Sequence, residues 1–327
     1  MHVVGLILSS FLLISYATLP VQATRRAYLN IVLLIGIMLL SIGFVIPLAR
    51  QPEQCYDPIT PNDQTSNLTC AFGGAFVTFG RMFLVAWVLF RALFMHLQIC
   101  WDWQPGKKSY IAANAVVLIL TVVLTARTMA RSGVSFRFSG YCHVNTGSLA
   151  TFWGWLLGFG GLACLLQIAT FACCARIYLA TDFRAKLDLS QGAESLAGSS
   201  RSRTARATAR RVYKALSLQW RSLTIVAVAV ATTAMVCGVF VLYDERVTVQ
   251  AFAQTETLAP WIVCVISSQD KDKCLQFTSS LVLPEALAVA TLFVLAFIGV
   301  EAFFLLCRWD MLKAWWALIR RPRTEKH

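Results

Sequence analysis

The sequence predicts an all-α membrane protein: a bundle of seven transmembrane helices in residues 1–306, followed by a short amphipathic cytoplasmic helix and basic tail in residues 307–327. Three observations predict this fold class. Seven apolar runs each provide about the 20 helical residues that a hydrocarbon core requires. Hydrophobic residues make up 57% of the chain and charged residues 14%. Lys and Arg are concentrated in every second loop between the apolar runs.

The seven predicted helices follow one another along most of the chain. Their expected bounds are 3–19, 28–49, 75–98, 110–129, 149–179, 223–242 and 281–306. A soluble domain of this length would not need apolar faces all round so many helices. The third cytoplasmic loop is expected at about 180–215. Aromatic and basic residues alternate at helical spacing in 308–320, which predicts a helix along the inner membrane surface.

The distribution of positive charge predicts the orientation, because basic residues near helix ends stay in the cytoplasm. With the amino terminus outside, 20 of the 29 Lys and Arg residues are cytoplasmic, seven lie in outer loops and two lie within a span. We therefore expect a multi-pass protein of the plasma membrane with its carboxyl terminus inside. The net charge of +13 then belongs to the cytoplasmic face, where it suits anionic lipids and acidic partners rather than nucleic acid.

The first apolar run has a second interpretation as a signal peptide. Residues 1–23 end in Val21-Gln22-Ala23, which fits the small-residue pattern of a cleavage site. Cleavage there would move the arginine-rich segment 176–221 to the outside, against the charge rule. No Lys or Arg precedes the apolar stretch, so we favour a first transmembrane span.

Five of the eleven cysteines fall in the predicted outer loops: Cys55, Cys70, Cys142, Cys264 and Cys274. Only these five face an oxidising compartment, where disulfides form. An odd count there indicates one free thiol or one missing partner.

Two further residues are candidates for modification. Asn67-Leu68-Thr69 is an acceptor triplet for N-glycosylation in the first outer loop. Cys307, at the end of the seventh span, is a candidate for palmitoylation, since juxtamembrane thiols are the usual sites. An ordinary buried thiol is the competing interpretation of Cys307.

Ionisable residues inside two of the spans are the best candidates for a functional site. The third span contains Arg81, Arg91 and His96, and the seventh contains Glu285 and Glu301. Such residues normally face the bundle interior or a partner. Arg81 matches Glu285 in depth, and Arg91 matches Glu301. The two glutamates are about 160° apart around a helix, so at most one pair is direct, and we prefer Arg91 with Glu301 as a lock on an inactive state. Snorkelling toward head groups is the alternative for each residue.

Several function classes are excluded by what the sequence lacks. The histidines, His2, His96, His143 and His327, are too far apart in the topology to form one zinc cluster. No phosphate loop, nucleophile elbow or HExxH motif occurs, so we expect no enzyme, no metal and no cofactor. The seventh span has no Lys for retinal, and no internal repeat indicates a transporter. The sequence motifs of rhodopsin-like receptors are also missing.

A series of short elements occurs in a fixed order along the chain. They are Ser41-Ile42-Gly43 in the second span, Cys70 at the start of the third with Trp87 inside it, Ser139-Gly140-Tyr141-Cys142 before the fifth, the basic entry to the sixth span and Tyr243-Asp244-Glu245 at its end, and the loop with Cys264 and Cys274. In this order and spacing, they resemble the Frizzled/Smoothened (class F) receptors, closest to the fungal members without the large ectodomain.

The resemblance implies two disulfides, Cys70 to Cys142 and Cys264 to Cys274, and signalling through the cytoplasmic face to a heterotrimeric G protein. The cysteine-rich ligand domain of the family is absent from this sequence, so binding of a Wnt-like lipidated protein is not expected. The family's Lys-Thr-x-x-x-Trp element is replaced by residues 308–313, which puts coupling to Dishevelled in doubt.

The resemblance also implies an inactive-state contact between a basic residue at the foot of the sixth helix and a tryptophan at the foot of the seventh. Arg221 and Trp309 are the nearest equivalents. A guanidinium over an indole contributes about 0.5 to 2 kcal/mol, enough to bias a two-state receptor. An interfacial aromatic belt of Trp309, Trp315 and Trp316 is the competing interpretation.

These features together predict a class F-like G protein-coupled receptor. Binding of an unknown extracellular ligand would cause a rearrangement of the third, sixth and seventh helices. The main alternative is a transporter or lipid-handling membrane protein that uses the charged interior as a path. A structural scaffold is the third possibility.

Overall fold

The structure is a computed structural model. It describes residues 1–24, 28–57, 60–137, 140–190, 224–241, 255–268, 271–274, 277 and 285–320. Within these ranges the chain forms an all-α membrane bundle, in which six helices are long and apolar enough to cross a membrane. The first apolar helix has 17 residues, at the lower end of the length that spans a hydrocarbon core.

Most of the described chain is helical. In chain order, the helices are α1 (His2–Thr18), α2 (Val21–Thr24), α3 (Tyr28–Arg50), α4 (Leu68–Cys100), α5 (Lys107–Arg131), α6 (Gly154–Ser190), α7 (Thr224–Val241), α8 (Thr255–Ser268), α9 (Lys271–Cys274), α10 (Glu285–Leu306) and α11 (Trp309–Arg320). Strands β1 (Val134–Arg137) and β2 (Tyr141–Val144) join α5 to a π-helical turn, Leu149–Trp153, that leads into α6. The predicted spans correspond to α1, α3, α4, α5, α6 with its π-turn, α7 and α10.

Helix α6 continues to Ser190, well past the expected end at residue 179. A helix does not have to stop where the hydrocarbon ends, because its backbone hydrogen bonds are made within the helix itself. The remainder of the predicted third cytoplasmic loop lies outside the described residues.

Helix α4 is the centre of the bundle. It packs against α3, α5 and α6 and also contacts both strands. Its buried side chains point in several directions rather than along one stripe, which is the pattern of a helix enclosed by neighbours. A movement of α3, α5 or α6 would therefore change the contacts of residues on α4.

Helices α3 and α4 approach each other closely at glycines. A Cβ atom on Gly43 would lie 2.7 Å from the backbone nitrogen of Val77, and one on Gly80 would lie 2.7 Å from the backbone nitrogen of Leu40. Small residues allow such backbone contact, which drives helix association in lipid. These two positions fix the crossing of α3 and α4.

The two strands form an antiparallel hairpin that covers one end of the bundle, called here the hairpin end. Val134 pairs with Val144, and Arg137 pairs with Tyr141. The loop before α4 adds to this sheet, since the amide of Phe136 donates to the carbonyl of Asn62 over 2.9 Å. The hairpin is therefore part of a lid made from two loops that are distant in sequence.

Both disulfides implied by the resemblance are present in the structure. Cys70, at the start of α4, is bonded to Cys142 on β2, and both residues are buried. Cys264 on α8 is bonded to Cys274 on α9. The first bond ties the lid to the central helix.

Helix α11 lies across the opposite end of the bundle, called here the α11 end. The indole nitrogen of Trp315 donates to the hydroxyl of Ser15 on α1 over 2.8 Å, and Met311 is fully buried. Trp309 and Ile319 are about 70% exposed. One face of the predicted amphipathic helix thus packs on protein, while other apolar side chains remain free to contact lipid.

The α3–α4 crossing predicts a clear effect of one added methyl group. Gly43→Ala should lower the thermal unfolding temperature in detergent by several degrees, because the methyl group meets backbone that cannot rotate away. Gly158→Ala on α6 is the matched control, since no atom lies within 4 Å of its Cβ position. Alanine is the better helix former, so that variant should match or exceed the wild type. Equal unfolding temperatures for the two variants would contradict the close crossing.

Candidate functional site

Arg81 lies on α4 under the lid and is only 7% exposed. Its guanidinium carbon lies 6.0 Å from the ring centre of Trp153 in the π-turn. The Nη2 atom is buried and makes no hydrogen bond in the part of the chain that the structure describes. Its neighbours by electrostatic interaction are His2, Tyr141, His143 and Cys237, and none of these carries a carboxylate. The face of the Trp153 ring therefore stabilises the charge of Arg81 in part, and an anionic group could still bind to the guanidinium.

His143 on β2 lies beside Arg81 and is enclosed by aromatic rings. The ring of Trp153 stacks on it at 5.3 Å, and the ring of Phe240 on α7 stacks at 5.0 Å. Neither ring nitrogen has a hydrogen-bond partner among the described residues. Burial, together with the positive charges of Arg81 and Arg137, holds the pKa of His143 well below 6.5. The imidazole is therefore neutral at physiological pH and connects the lid to α7 by stacking.

Tyr141 completes the underside of the lid. The centre of its ring lies 5.1 Å from the ring centre of Phe44 on α3. The ring of His2 also stacks on Phe44, with the ring centres 4.0 Å apart. The Tyr141 hydroxyl is buried without a hydrogen-bond partner in the described ranges. Burial raises the pKa of Tyr141, so the phenol is neutral.

A cavity opens between the helices on the other side of Arg81. Its lining comes from α3, α4, α6, α7 and α10, and its volume is about 90 Å³. Most lining residues are aliphatic, and Arg81 and Glu301 are its two charged residues. The cavity is thus an apolar space with opposite charges at different depths.

In the α11 half of the bundle, two polar side-chain contacts between described residues link α4 to other helices. Arg91 on α4 is 7% exposed and donates from Nη1 to the side-chain oxygen of Asn30 on α3 over 2.8 Å. The Nδ1 atom of His96 lies 3.0 Å from the hydroxyl of Thr170 on α6. These contacts join α4 to α3 and to α6 at a depth where the sequence predicted a lock.

The predicted charge pairs remain predictions. Arg91 donates to the neutral Asn30, and Glu301 lines the cavity. Glu285 begins α10, but its side chain lies outside the described part, so the pair with Arg81 is not described. The Arg221 to Trp309 contact likewise lies outside it, because Arg221 does.

The structure describes the surroundings of the two residues predicted to be modified, Asn67 and Cys307. Asn67 is the N-cap of α4, and its side-chain oxygen accepts from the amides of Thr69 and Cys70 over 2.9 and 3.2 Å. A cap accounts for an asparagine at this position without a glycan, although the amide nitrogen that would carry one is not used by the cap. Cys307 is half-buried between α10 and α11. Glycosylation and palmitoylation therefore remain predictions.

Sequence reasoning missed three members of the site: Tyr141, His143 and Trp153. It considered His143 only as a metal ligand and discarded it for lack of nearby histidines. A signal was present, because Tyr141 and His143 flank Cys142 and alternate residues of a strand share a face. The side chain of Cys142 points to the opposite face, so a disulfide there fixes the position of the face that carries Tyr141 and His143.

One comparison with known proteins identifies a relative. The chain is 34% identical over 311 residues to a protein of Aspergillus fumigatus (strain CBS 144.89 / FGSC A1163 / CEA10) named G protein-coupled receptor gprM. The alignment covers 93% of this chain and 62% of the relative, so the chain spans less than two thirds of that protein's length. No model of a known protein family matches the chain.

The neutral, buried state of His143 predicts a dependence of stability on pH. An unfolded histidine ionises near pH 6.5, whereas His143 binds its proton only at lower pH. The free energy of unfolding should therefore decrease as the pH falls below about 6.5, by up to about 1.4 kcal/mol per pH unit. His143→Phe keeps the ring stacking and removes the proton site. Its unfolding temperature should vary less between pH 7 and 5 than that of the wild type; parallel profiles would rule out this role.

Variants at the acceptor triplet separate the two roles of Asn67. Asn67→Ala removes the cap and should cost about 1 kcal/mol, seen as a lower unfolding temperature. Asn67→Asp and Thr69→Ala keep a cap but destroy the triplet, so a glycan on Asn67 predicts faster gel migration of both after expression in a eukaryotic host. Unchanged migration of Thr69→Ala would exclude the glycan, and an unchanged unfolding temperature of Asn67→Ala would exclude the cap.

Proposed function

We propose that this chain is a G protein-coupled receptor of the Frizzled/Smoothened-like kind. Its hairpin end faces the outside and receives an extracellular ligand. Its α11 end faces the cytoplasm and presents a site for a heterotrimeric G protein. The observation that supports this most is the interhelical cavity, because α4, α7 and α10 all line it and it reaches Arg81 directly under the lid.

A ligand in the cavity would contact the helices to which the resemblance to class F receptors assigns signalling. α4, α7 and α10 are the third, sixth and seventh predicted spans. A molecule that fits one arrangement of these helices better than another shifts the equilibrium between them. The similarity to a protein named as a G protein-coupled receptor supports the same conclusion from sequence.

The proposed orientation rests on two independent features. Lys and Arg are sparse in the loops of the hairpin end and abundant in those of the α11 end. Both disulfides lie in loops assigned to the outside, where the compartment is oxidising. Lys313 and Arg320 on α11 would then meet anionic lipids of the inner leaflet.

We propose that Arg91 holds the resting arrangement. Its bond to Asn30 joins α3 to α4 near the cytoplasmic end, and Glu301 on α10 is the partner that the sequence suggested for it. A hydrogen bond to a charged group contributes about 1.5 to 3 kcal/mol, so its loss changes a two-state equilibrium by roughly tenfold or more.

Basal signalling tests this proposal. In yeast cells without their own receptor, carrying a panel of fungal Gα subunits and a transcriptional reporter, Asn30→Ala and Arg91→Gln should raise ligand-free signalling by roughly tenfold. Arg127→Gln, an exposed arginine on α5, is the matched control and should leave it unchanged. All values are divided by the amount of protein at the cell surface.

Two outcomes would contradict the receptor function. No response with any Gα subunit, for wild type or variants, would remove the evidence for coupling. Loss of solute or lipid movement in the Arg91 variant with unchanged signalling would favour a transporter or lipid-handling protein, which would use the same charged cavity as its path.

A further inference from the structure

We propose that the interhelical cavity binds an amphipathic molecule with one anionic head group and an apolar chain, with the head group held by Arg81. That this molecule is the signal of a receptor rests on the function proposed above. The binding itself does not depend on that function.

The argument begins with the unbalanced charge of Arg81. The side chain is more than nine-tenths buried, lines the cavity and has a buried Nη2 atom without a hydrogen-bond partner in the described ranges. A cation in the interior of a membrane protein is costly unless an opposite charge or a hydrogen-bond acceptor compensates it. The face of Trp153, at 6.0 Å, supplies only a part of that compensation. An anionic group from a ligand would supply the rest.

The surroundings of Arg81 are suited to an anion. His143 and Tyr141, which interact electrostatically with Arg81, are neutral and add no negative charge beside it. Guanidinium groups bind carboxylates and phosphates through two parallel hydrogen bonds, which give both strength and orientation. No carboxylate of the described residues contributes to the electrostatic environment of Arg81. The head-group position is therefore positive and unoccupied by the protein's own acids.

The rest of the cavity is suited to an apolar chain. Its walls between Arg81 and Glu301 are formed mainly by Leu, Ile, Val and Ala side chains. Thr233 already donates its hydroxyl to the carbonyl of Ala229, so it offers little to a polar ligand. An inorganic anion would leave this apolar space empty, whereas a chain attached to the anion would fill it.

Glu301 determines which way the molecule lies. It lines the same cavity, six residues beyond Leu295 on α10, which is about 9 Å of helix rise further toward the α11 end. A negative head group is repelled from that depth and attracted to Arg81. The chain therefore extends from the lid toward the α11 end, between α7 and α10, where it would influence their separation.

Photo-crosslinking tests the proposal. The purified full chain in neutral phosphatidylcholine nanodiscs is irradiated with palmitate that carries a diazirine on its chain, and labelled peptides are identified by mass spectrometry. A second arm uses phosphatidate with the same chain, which distinguishes a free amphiphile from a bilayer lipid. Saturable labelling of cavity residues such as Leu84, Val236 and Leu295 is expected in at least one arm.

Charge variants provide the decisive comparison. Arg81→Gln should raise the half-saturating concentration at least tenfold, and Arg81→Lys should restore part of the binding. The exposed Arg127→Gln should have no effect. A diazirine-bearing palmityl alcohol, which lacks the charge, should label weakly and equally in wild type and Arg81→Gln. Size-exclusion elution and unfolding temperature establish that each variant is folded.

Three results would overturn the site: labelling restricted to lipid-facing side chains, equal half-saturation for wild type and folded Arg81→Gln, or an equal loss in Arg127→Gln. Charge-dependent binding together with no response from any Gα subunit would disprove the signalling proposal and leave the site intact. Gα coupling without such binding would remove the site alone.

Discussion

The bond between Cys70 and Cys142 is the constraint on which the rest of the proposed site depends. Four-residue strands have little stability of their own, and this bond fixes them to the first turn of the central helix. Because Cys142 is held there, the opposite face of β2, which carries Tyr141 and His143, has a fixed position. Their rings then contact α3 and α7. One covalent link thus sets the position of the lid relative to three transmembrane helices.

The lid changes the electrostatic character of the bundle beneath it. By excluding water from Arg81, it leaves a guanidinium among rings and aliphatic side chains, where an interaction with an anion is far stronger than in water. The same exclusion keeps His143 neutral, so it adds stacking to the site without adding a second charge. The lid, the buried cation and the apolar cavity therefore act as one unit, and each would have little function without the others.

The features that the sequence predicted are those encoded locally. Apolar length gave the spans, and the expected helix 28–49 corresponds to α3 (Tyr28–Arg50). The depth of Arg91 was also predictable, since it follows from position along a helix. The rotation of its side chain was not predictable, because the neighbour that a side chain reaches depends on packing. The structure shows a bond to Asn30 that the sequence did not suggest. The hairpin and the ring stack around His143 were missed, because both arise only when distant segments meet.

The central claim is that a lid pinned by Cys70–Cys142 closes a cavity whose nearer end is positive. Cys237 reports on this directly, since it lines the cavity near Arg81 and is 1% exposed. The measurement is its rate of reaction with sulfonate and trimethylammonium methanethiosulfonates, in protein whose other cysteines outside the two disulfides are alanine. Replacing Cys70 and Cys142 by alanine should accelerate the reaction at least tenfold, with the anionic reagent faster than the cationic one. Equal rates with and without the bond, or a faster cationic reagent, would contradict the account.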